Sequence, residues 1–226
     1  KDVLNKWINI MQDVTLVIPA KFESESLPRV LEEIESIAAQ KIIVIPKDDL
    51  TTLNSIKDYD HKIIHQNEEG FGAALIEGIN SVQTKYFCIF NADGSFDPRY
   101  LKGMREKLDL KNDFVFSTRY EKNSGSEDDT LLTFLGNKFF TFTCRVLFKL
   151  NISDVLFTYV MGSTSACKSL NLKNKDFTFC IELPVKAKFL NYKSTNYPSY
   201  ERSRIAGKKK VNEFKDGFLI LMSIIS

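Results

Sequence analysis

Tyr86-Phe87-Cys88-Ile89-Phe90-Asn91-Ala92-Asp93-Gly94-Ser95-Phe96-Asp97-Pro98 puts an apolar run directly ahead of an amide and two carboxylates. An apolar run ending in Asx and Gly reads as a buried strand that stops at the carboxyl edge of a sheet, where open α/β sheets bind their ligands. Carboxylates at that edge are hard oxygen ligands, so the stretch outlines a site for a divalent cation and a diphosphate. The same residues also suit an Asx-rich turn with a helix opening at Pro98. The rest of the chain has to decide between the two.

Working outward, apolar runs alternate with helix-like stretches. Strands are expected near residues 14–18, 42–46, 62–65, 86–90 and 113–117, and helices near 26–39, 72–83 and 98–108. Ser24 or Ser26 with Pro28 opens the first helix. Such alternation predicts a mostly parallel sheet flanked by helices, an α/β fold. Residues 121–129 are polar and contain Gly125, which predicts a loop. An aromatic-rich helix is expected over 131–150, its apolar residues mainly as core. Further strands are expected over 157–163 and 193–197, with a helix over 177–190 kinked by Pro184. Residues 199–210 read as a loop, followed by a terminal helix from about Val211.

The chain has 226 residues, 43% hydrophobic, with 31 Lys and Arg against 29 Asp and Glu. That is ample for a core and too balanced for a general nucleic-acid binder. Basic residues nevertheless gather between Pro184 and Lys215, which suits phosphates on a nucleotide, a lipid head or a membrane surface, or simply a solvated face. Cys88, Cys144, Cys167 and Cys180 lie in apolar contexts without metal-site spacing, so buried reduced thiols and a cytoplasmic setting are expected. His61 and His65 are too far apart on an extended run to chelate one ion. No apolar run is long enough to span a bilayer, although Phe218 to Ile225 is greasy enough to pack on the domain or lie in an interface.

In order and spacing, several motifs together resemble one family. They are Val14-Thr15-Leu16-Val17-Ile18-Pro19-Ala20-Lys21-Phe22-Glu23, the Asp93 stretch, Gly70-Phe71-Gly72, Ser117-Thr118-Arg119-Tyr120, Leu135-Gly136-Asn137, Ser153-Asp154 and Glu201-Arg202-Ser203-Arg204-Ile205-Ala206-Gly207-Lys208. The chain is similar to family-2 glycosyltransferases of GT-A (Rossmann-like) fold, and among them resembles the polyprenyl-phosphate sugar transferases, of which dolichol-phosphate mannosyltransferase is the best known. The resemblance implies one GT-A domain over 1–226. Its nucleotide-sugar half spans about 14–120, and an acceptor-side half with a helical extension, bordering the lipid, spans about 130–226.

It also implies a set of site residues. Asp93 is the expected Mg²⁺ or Mn²⁺ ligand, with Ser95 as a minor one, because the leaving diphosphate needs its charge neutralised. Pro19, Ala20, Glu23, Asn91 and Ala92 are expected beside the nucleotide sugar. Gly72 belongs to a turn whose backbone N–H groups approach an anion, and Arg119 could clamp a phosphate. Arg202, Arg204 and Lys208 resemble a segment that closes over the phosphates. Asp97 is read as the cap of the next helix.

The sequence departs from the family pattern at three places. Asn91 stands where an Asp is usual, Phe71 where a Lys or Arg is frequent, and Pro46-Lys47-Asp48-Asp49 where Asp-Asp-Gly-Ser is usual, so Asp48 and Asp49 are candidates of shifted register.

No residue offers a strong general base, and a phosphate acceptor, already ionised near neutral pH, needs none. Asp154 is the remaining candidate for positioning or for the base. The leading expectation is metal-dependent, inverting transfer of a hexose from a GDP- or UDP-sugar to polyprenyl phosphate, by a protein peripheral at the cytoplasmic membrane face. Transfer to a hydroxyl of a glycan or small molecule is an alternative. So is a catalytically weakened nucleotide-sugar-binding or scaffold protein.

Overall fold

The computed structural model describes residues 10–207 and 213–225, apart from the side chains of 213–216, 223 and 225. Strands β1 (Val14–Pro19), β2 (Gln40–Pro46), β3 (Lys62–Gln66), β4 (Tyr86–Ile89) and β5 (Phe114–Thr118) form where the apolar runs predict them. With β7 (Val160–Ser163) and β8 (Ser194–Pro198) they make a seven-stranded sheet of order β3-β2-β1-β4-β7-β5-β8. Every neighbouring pair is parallel except those of β7, which runs antiparallel to both β4 and β5. A second, two-stranded parallel sheet pairs β6 (Gly125–Ser126) with β9 (Tyr200–Glu201). Glu201 also bridges to Phe96, so β9 stitches the 125–126 segment to the loop after β4.

Alternation along the strands divides the core in two. Val17, Val44, Phe87, Ile89, Phe114 and Phe116 face α3 (Phe71–Asn80), α6 (Thr164–Ser169) and α7 (Phe179–Phe189). Leu16, Ile18, Ile43, Cys88, Phe90 and Val115 face α1 (Leu27–Glu33) and α4 (Leu101–Asp109). Burying each large apolar side chain stabilises by roughly 1.5–3 kcal/mol, so a one-residue slip of any central strand would be costly.

Several local expectations change. The first helix ends at Glu33 rather than near residue 39, and Ser26 makes no side-chain cap; its hydroxyl donates to Glu23 Oε2 at 2.7 Å. Helix α2 (Leu50–Ser55), α6 and the strands β6 and β9 are too short to show a period in sequence. Pro184 lies inside α7 without ending it.

The largest change is α5 (Leu131–Phe148), opened by a capping box of Thr130 and Thr133. Most of its apolar residues are not core: Cys144 is buried and Phe140 and Phe148 pack partly against the core, while Leu131 is 76% and Phe142 68% exposed. The last helix, α8 (Glu213–Ile225), packs against α5 and α7. It buries Ile220 and Ile224 in the core and exposes Phe218 and Met222, so the greasy tail serves packing and surface at once. Its expected start at Val211 lies outside the described residues. No helix among the described residues is long and apolar enough to cross a membrane.

Candidate active site

A cleft of about 910 Å³ runs along the carboxyl ends of β1, β2 and β4 and continues between α5 and α8. Pro19, Ala20, Glu23, Asp48, Asn91, Ala92 and Asp93, all expected from sequence, line it, as do Arg119 and Arg204. At its far end the lining is Leu132, Gly136 and Phe140 of α5 with Gly217 and Ile220 of α8. This is the position an open α/β sheet dictates for a ligand.

The loop after β4 is tightly built. The Asp93 carboxylate accepts the Ser95 N–H at 3.0 Å through Oδ1, and Oδ2 lies 3.5 Å from Arg204 Nη1. Asn91 Nδ2 donates to Ser95 Oγ at 3.1 Å. Ser95 is therefore buried and holds the loop's shape, a correction to its expected role as a metal ligand. Gly94 has φ +81°, a left-handed conformation that L side chains resist. Asp97 is the cap it was expected to be: it accepts the Arg99 N–H at 2.9 Å, and although burial pushes its carboxyl up, the Arg99 bonds outweigh that and leave the pKa lowered.

The loop after β1 is held from α2. Asp49 accepts the Phe22 N–H at 2.5 Å and the Thr52 N–H at 3.2 Å, and Thr52 Oγ1 accepts the Glu23 N–H at 2.9 Å. Burial pushes the Asp49 carboxyl up, but these donors outweigh it and leave the pKa lowered. Asp49 is thus a helix cap that positions Phe22 and Glu23 rather than a substrate contact. Asp48, exposed and on the cleft, is the member of the pair that can reach a ligand.

Four further expectations need correction. A Cβ on Gly72 would lie 2.2 Å from the Asn174 carbonyl oxygen, and the Ala73 N–H already donates to Lys175 O at 2.9 Å. Gly72 lets the 174–176 segment approach the helix and cradles no anion.

The Arg119 side chain is largely buried and paired with three carboxylates. Its Nε and Nη2 donate to Asp154 at 2.8 and 3.1 Å, Nη1 lies 3.1 Å from Glu201 and 3.5 Å from Asp129, and its face covers the Phe157 ring at 4.6 Å. Burial disfavours the guanidinium charge, but Asp154 and Glu201 hold it firmly protonated. It is the centre of a carboxylate cluster rather than a free phosphate clamp. Asp154, fully buried behind it, is no general base.

Arg202 also leaves the list of catalytic candidates. It forms a bidentate pair with Glu33 at 2.6 and 2.8 Å and donates to the carbonyls of Gly94 and Phe96 at 3.1 and 3.0 Å, bracing the Asp93 loop from behind. Lys208 lies outside the described residues.

Arg204 does reach the cleft and links Asp93 to Asp128, 2.9 Å from Nη2. Asp128, Asp129 and Glu201 are cleft residues that the sequence reading missed. Their signal was present: a buried Arg119 demands carboxylates, and Asp128-Asp129 stand directly before a helix. Burial raises the Glu201 carboxyl pKa, against Arg119 and the Ser126 hydroxyl 2.6 Å away. No group of three or more His, Cys, Asp or Glu among the described residues is arranged to hold a metal by itself.

The solved structures most like this chain include glucosyl-3-phosphoglycerate synthase from Mycobacterium tuberculosis in complex with Mn²⁺, UDP and glucosyl-3-phosphoglycerate. Its TM-score is 0.78 at 12% identity, with 98% of this chain and 82% of that one covered. The same enzyme with Mn²⁺ and UDP-glucose gives a TM-score of 0.72 at 12% identity, covering 98% and 82%. These likenesses bear out the expected GT-A architecture. In sequence, proteins described as uncharacterized glycosyltransferases from Mycobacterium bovis and Mycobacterium tuberculosis are each 24% identical over 210 residues, covering 92% of this chain and 93% of theirs. The family model for glycosyl transferase family 2 matches residues 15–170, from β1 through α6 and across the Asp93 loop. That is well over half of the chain, which therefore belongs to the family-2 glycosyltransferases.

Proposed function

We propose that this glycosyltransferase moves a hexose, with inversion, from a UDP- or GDP-sugar to a polyprenyl phosphate at the cytoplasmic face of a membrane, with Mg²⁺ or Mn²⁺. The observation that carries the acceptor is the wall of the cleft. Leu132, Phe140 and Ile220 line it on α5 and α8, and the outer faces of the same helices present Leu131, Leu135, Phe142, Phe218 and Met222 to solvent. Exposed apolar patches of this kind mark contact with lipid or a partner. The nucleotide would lie along Pro19, Ala20, Glu23 and Asp48, with its diphosphate at Asp93.

Mg²⁺ is commonly held by one or two carboxylates plus substrate phosphates, so the cleft carboxylate of Asp93, whose Oδ2 makes only the loose 3.5 Å contact with Arg204, fits such a cation. Bound there, the ion would supply Lewis-acid neutralisation of the leaving diphosphate. This chain's own residues do the rest. Ser95 and Gly94 orient Asp93, Arg204 brings positive charge beside it, and Arg119 holds the 129 and 201 segments at the acceptor end. With Asp154 sequestered, an acceptor already ionised needs no proton removed, which agrees with a phosphate.

A second reading, transfer to a hydroxyl of a small acid, is favoured by one feature: the Glu201 carboxyl lines the cleft with its pKa raised, a setting suited to taking up a proton. The solved neighbour holds a glucosylated phosphoglycerate.

Product analysis tests the proposal. UDP- and GDP-hexoses with Mn²⁺ are offered together with polyprenyl phosphate in vesicles or with soluble hydroxy acids. Lipid-linked sugar is expected; transfer only to the soluble acids would replace the first reading by the second.

A further inference from the structure

We infer that Arg204 is a resident counter-cation of the Asp93 carboxylate, which a divalent ion must displace, and that Asp128 is the place to which the guanidinium then retires. The inference rests on the reading of Asp93 as the cation ligand. Arg204 Nη1 stands 3.5 Å from Asp93 Oδ2, while Nη2 and Nε reach the two Asp128 oxygens at 2.9 and 3.4 Å. The bond to Asp128 is thus the closer and doubled one, and the contact with Asp93 is the looser one. All three side chains line the cleft. Burial works against the charge on Arg204, but Asp128 and Asp93 keep the guanidinium protonated.

The backbone around Arg204 is anchored on both sides. Ile205 N–H donates to Asp93 O at 2.8 Å, and Ser203 gives both its N–H (3.0 Å) and its hydroxyl (2.9 Å) to Glu127 Oε2. The side chain therefore carries the movement, between two carboxylates that its guanidinium already touches. A cation arriving at Asp93 meets a like charge, which costs binding while the site holds no diphosphate. Once a diphosphate is present, the displaced guanidinium sits next to it and adds favourable charge. The same residue opposes the ion alone and supports the ion with donor, so cation and donor bind together rather than in sequence.

The test is Mn²⁺ binding to the full chain without nucleotide, followed by the electron paramagnetic resonance signal of free Mn²⁺. Arg204→Gln should tighten binding roughly three- to ten-fold, the size of a partly exposed charge interaction. Asp128→Asn should weaken it by a similar factor, because Arg204 then has only Asp93 to pair with. With UDP added, the Arg204→Gln advantage should vanish or reverse.

Asp93→Asn separates the two ideas. If it leaves Mn²⁺ binding unchanged, the ligand reading of Asp93 fails and the exchange with it. If it removes binding while both other variants match the parent, the exchange alone is overturned. Binding by Arg204→Gln where the parent shows none supports the exchange, and absence of binding in both up to millimolar Mn²⁺ overturns it. Each variant's melting curve is recorded alongside, and the opposite signs expected for Arg204→Gln and Asp128→Asn cannot arise from a shared loss of fold.

Discussion

The Arg119 guanidinium meets the Asp154 carboxylate edge-on, Nε to Oδ2 at 2.8 Å and Nη2 to Oδ1 at 3.1 Å, with Asp154 entirely shielded from solvent. Removing one member of a buried pair strands the other charge. Asp154→Ala should therefore lower stability by about 3–5 kcal/mol in equilibrium denaturation. A variant of parental stability would mean that Asp129 and Glu201 satisfy Arg119 by themselves.

Glu201 shares the same guanidinium but responds to pH in the opposite sense from an ordinary paired acid. Its folded pKa is raised by burial, so the folded state binds that proton more tightly than the unfolded chain. The resulting stabilisation is full below the unfolded value of about 4.3 and is lost as pH rises through the folded one. Glu201→Gln mimics the protonated form, so its melting temperature should gain on the parent's as pH increases. A gap that closes instead would show that the Arg119 attraction outweighs burial.

The four thiols are all buried, and burial pushes Cys144 up to about 11 and Cys167 up to about 12, with Cys88 and Cys180 also raised. Since the thiolate is the reactive form, a disulfide-exchange reagent at pH 8 should label the native protein only as fast as it opens. Rapid labelling of any one cysteine before unfolding contradicts this placement.

Gly94→Ala tests the coupling between the Asp93 loop and the segment after β9. At φ +81° a Cβ would lie 2.4 Å from the Ile205 side chain. The conformation alone costs roughly 1–2 kcal/mol for an L residue, and relief requires Ile205 to move away from Asp93. Stability should drop by about that amount, and cation-dependent turnover should fall further than Arg202→Ala lowers it.

Phe142→Ser and Phe218→Ser replace exposed rings and should change stability by no more than about 0.5 kcal/mol. Under the membrane proposal they should reduce binding to anionic vesicles, measured by sedimentation. Truncation after Gly217 is a different experiment, because it removes the core residues Ile220 and Ile224 and is expected to destabilise. Vesicle binding equal to the parent's in both serine variants would count against the apolar faces as the contact surface.

Much of this molecule was legible in its sequence because apolar runs have a length and a period. Strands β1 to β5 and the carboxyl-edge position of Asp93 follow from that alone. What sequence could not show was which charges use each other up. Arg119 and Arg202 look like phosphate ligands by residue type, yet the fold brings Asp154 and Glu33 to them from 35 and 169 residues away. Likewise α5 carries a core-like composition, and only the tertiary arrangement shows that no element covers its outer side among the described residues. Asp48 and Asp49 were separable only by seeing which one faces the start of α2.

The antiparallel β7 has a consequence for how the chain is made. β5 hydrogen-bonds to β7 and β8 and not to β4, so it leaves the ribosome before either of its partners has been synthesised. Until residue 163 is out, strands β1 to β4 have each other to pair with, while the β4 edge and the apolar Phe114-Val115-Phe116 segment both lack their shared partner β7. Substitutions in β7 then bear on the chain during synthesis as well as on the finished protein. Variants at Met161 or Gly162 should show their defects first as lost yield during synthesis.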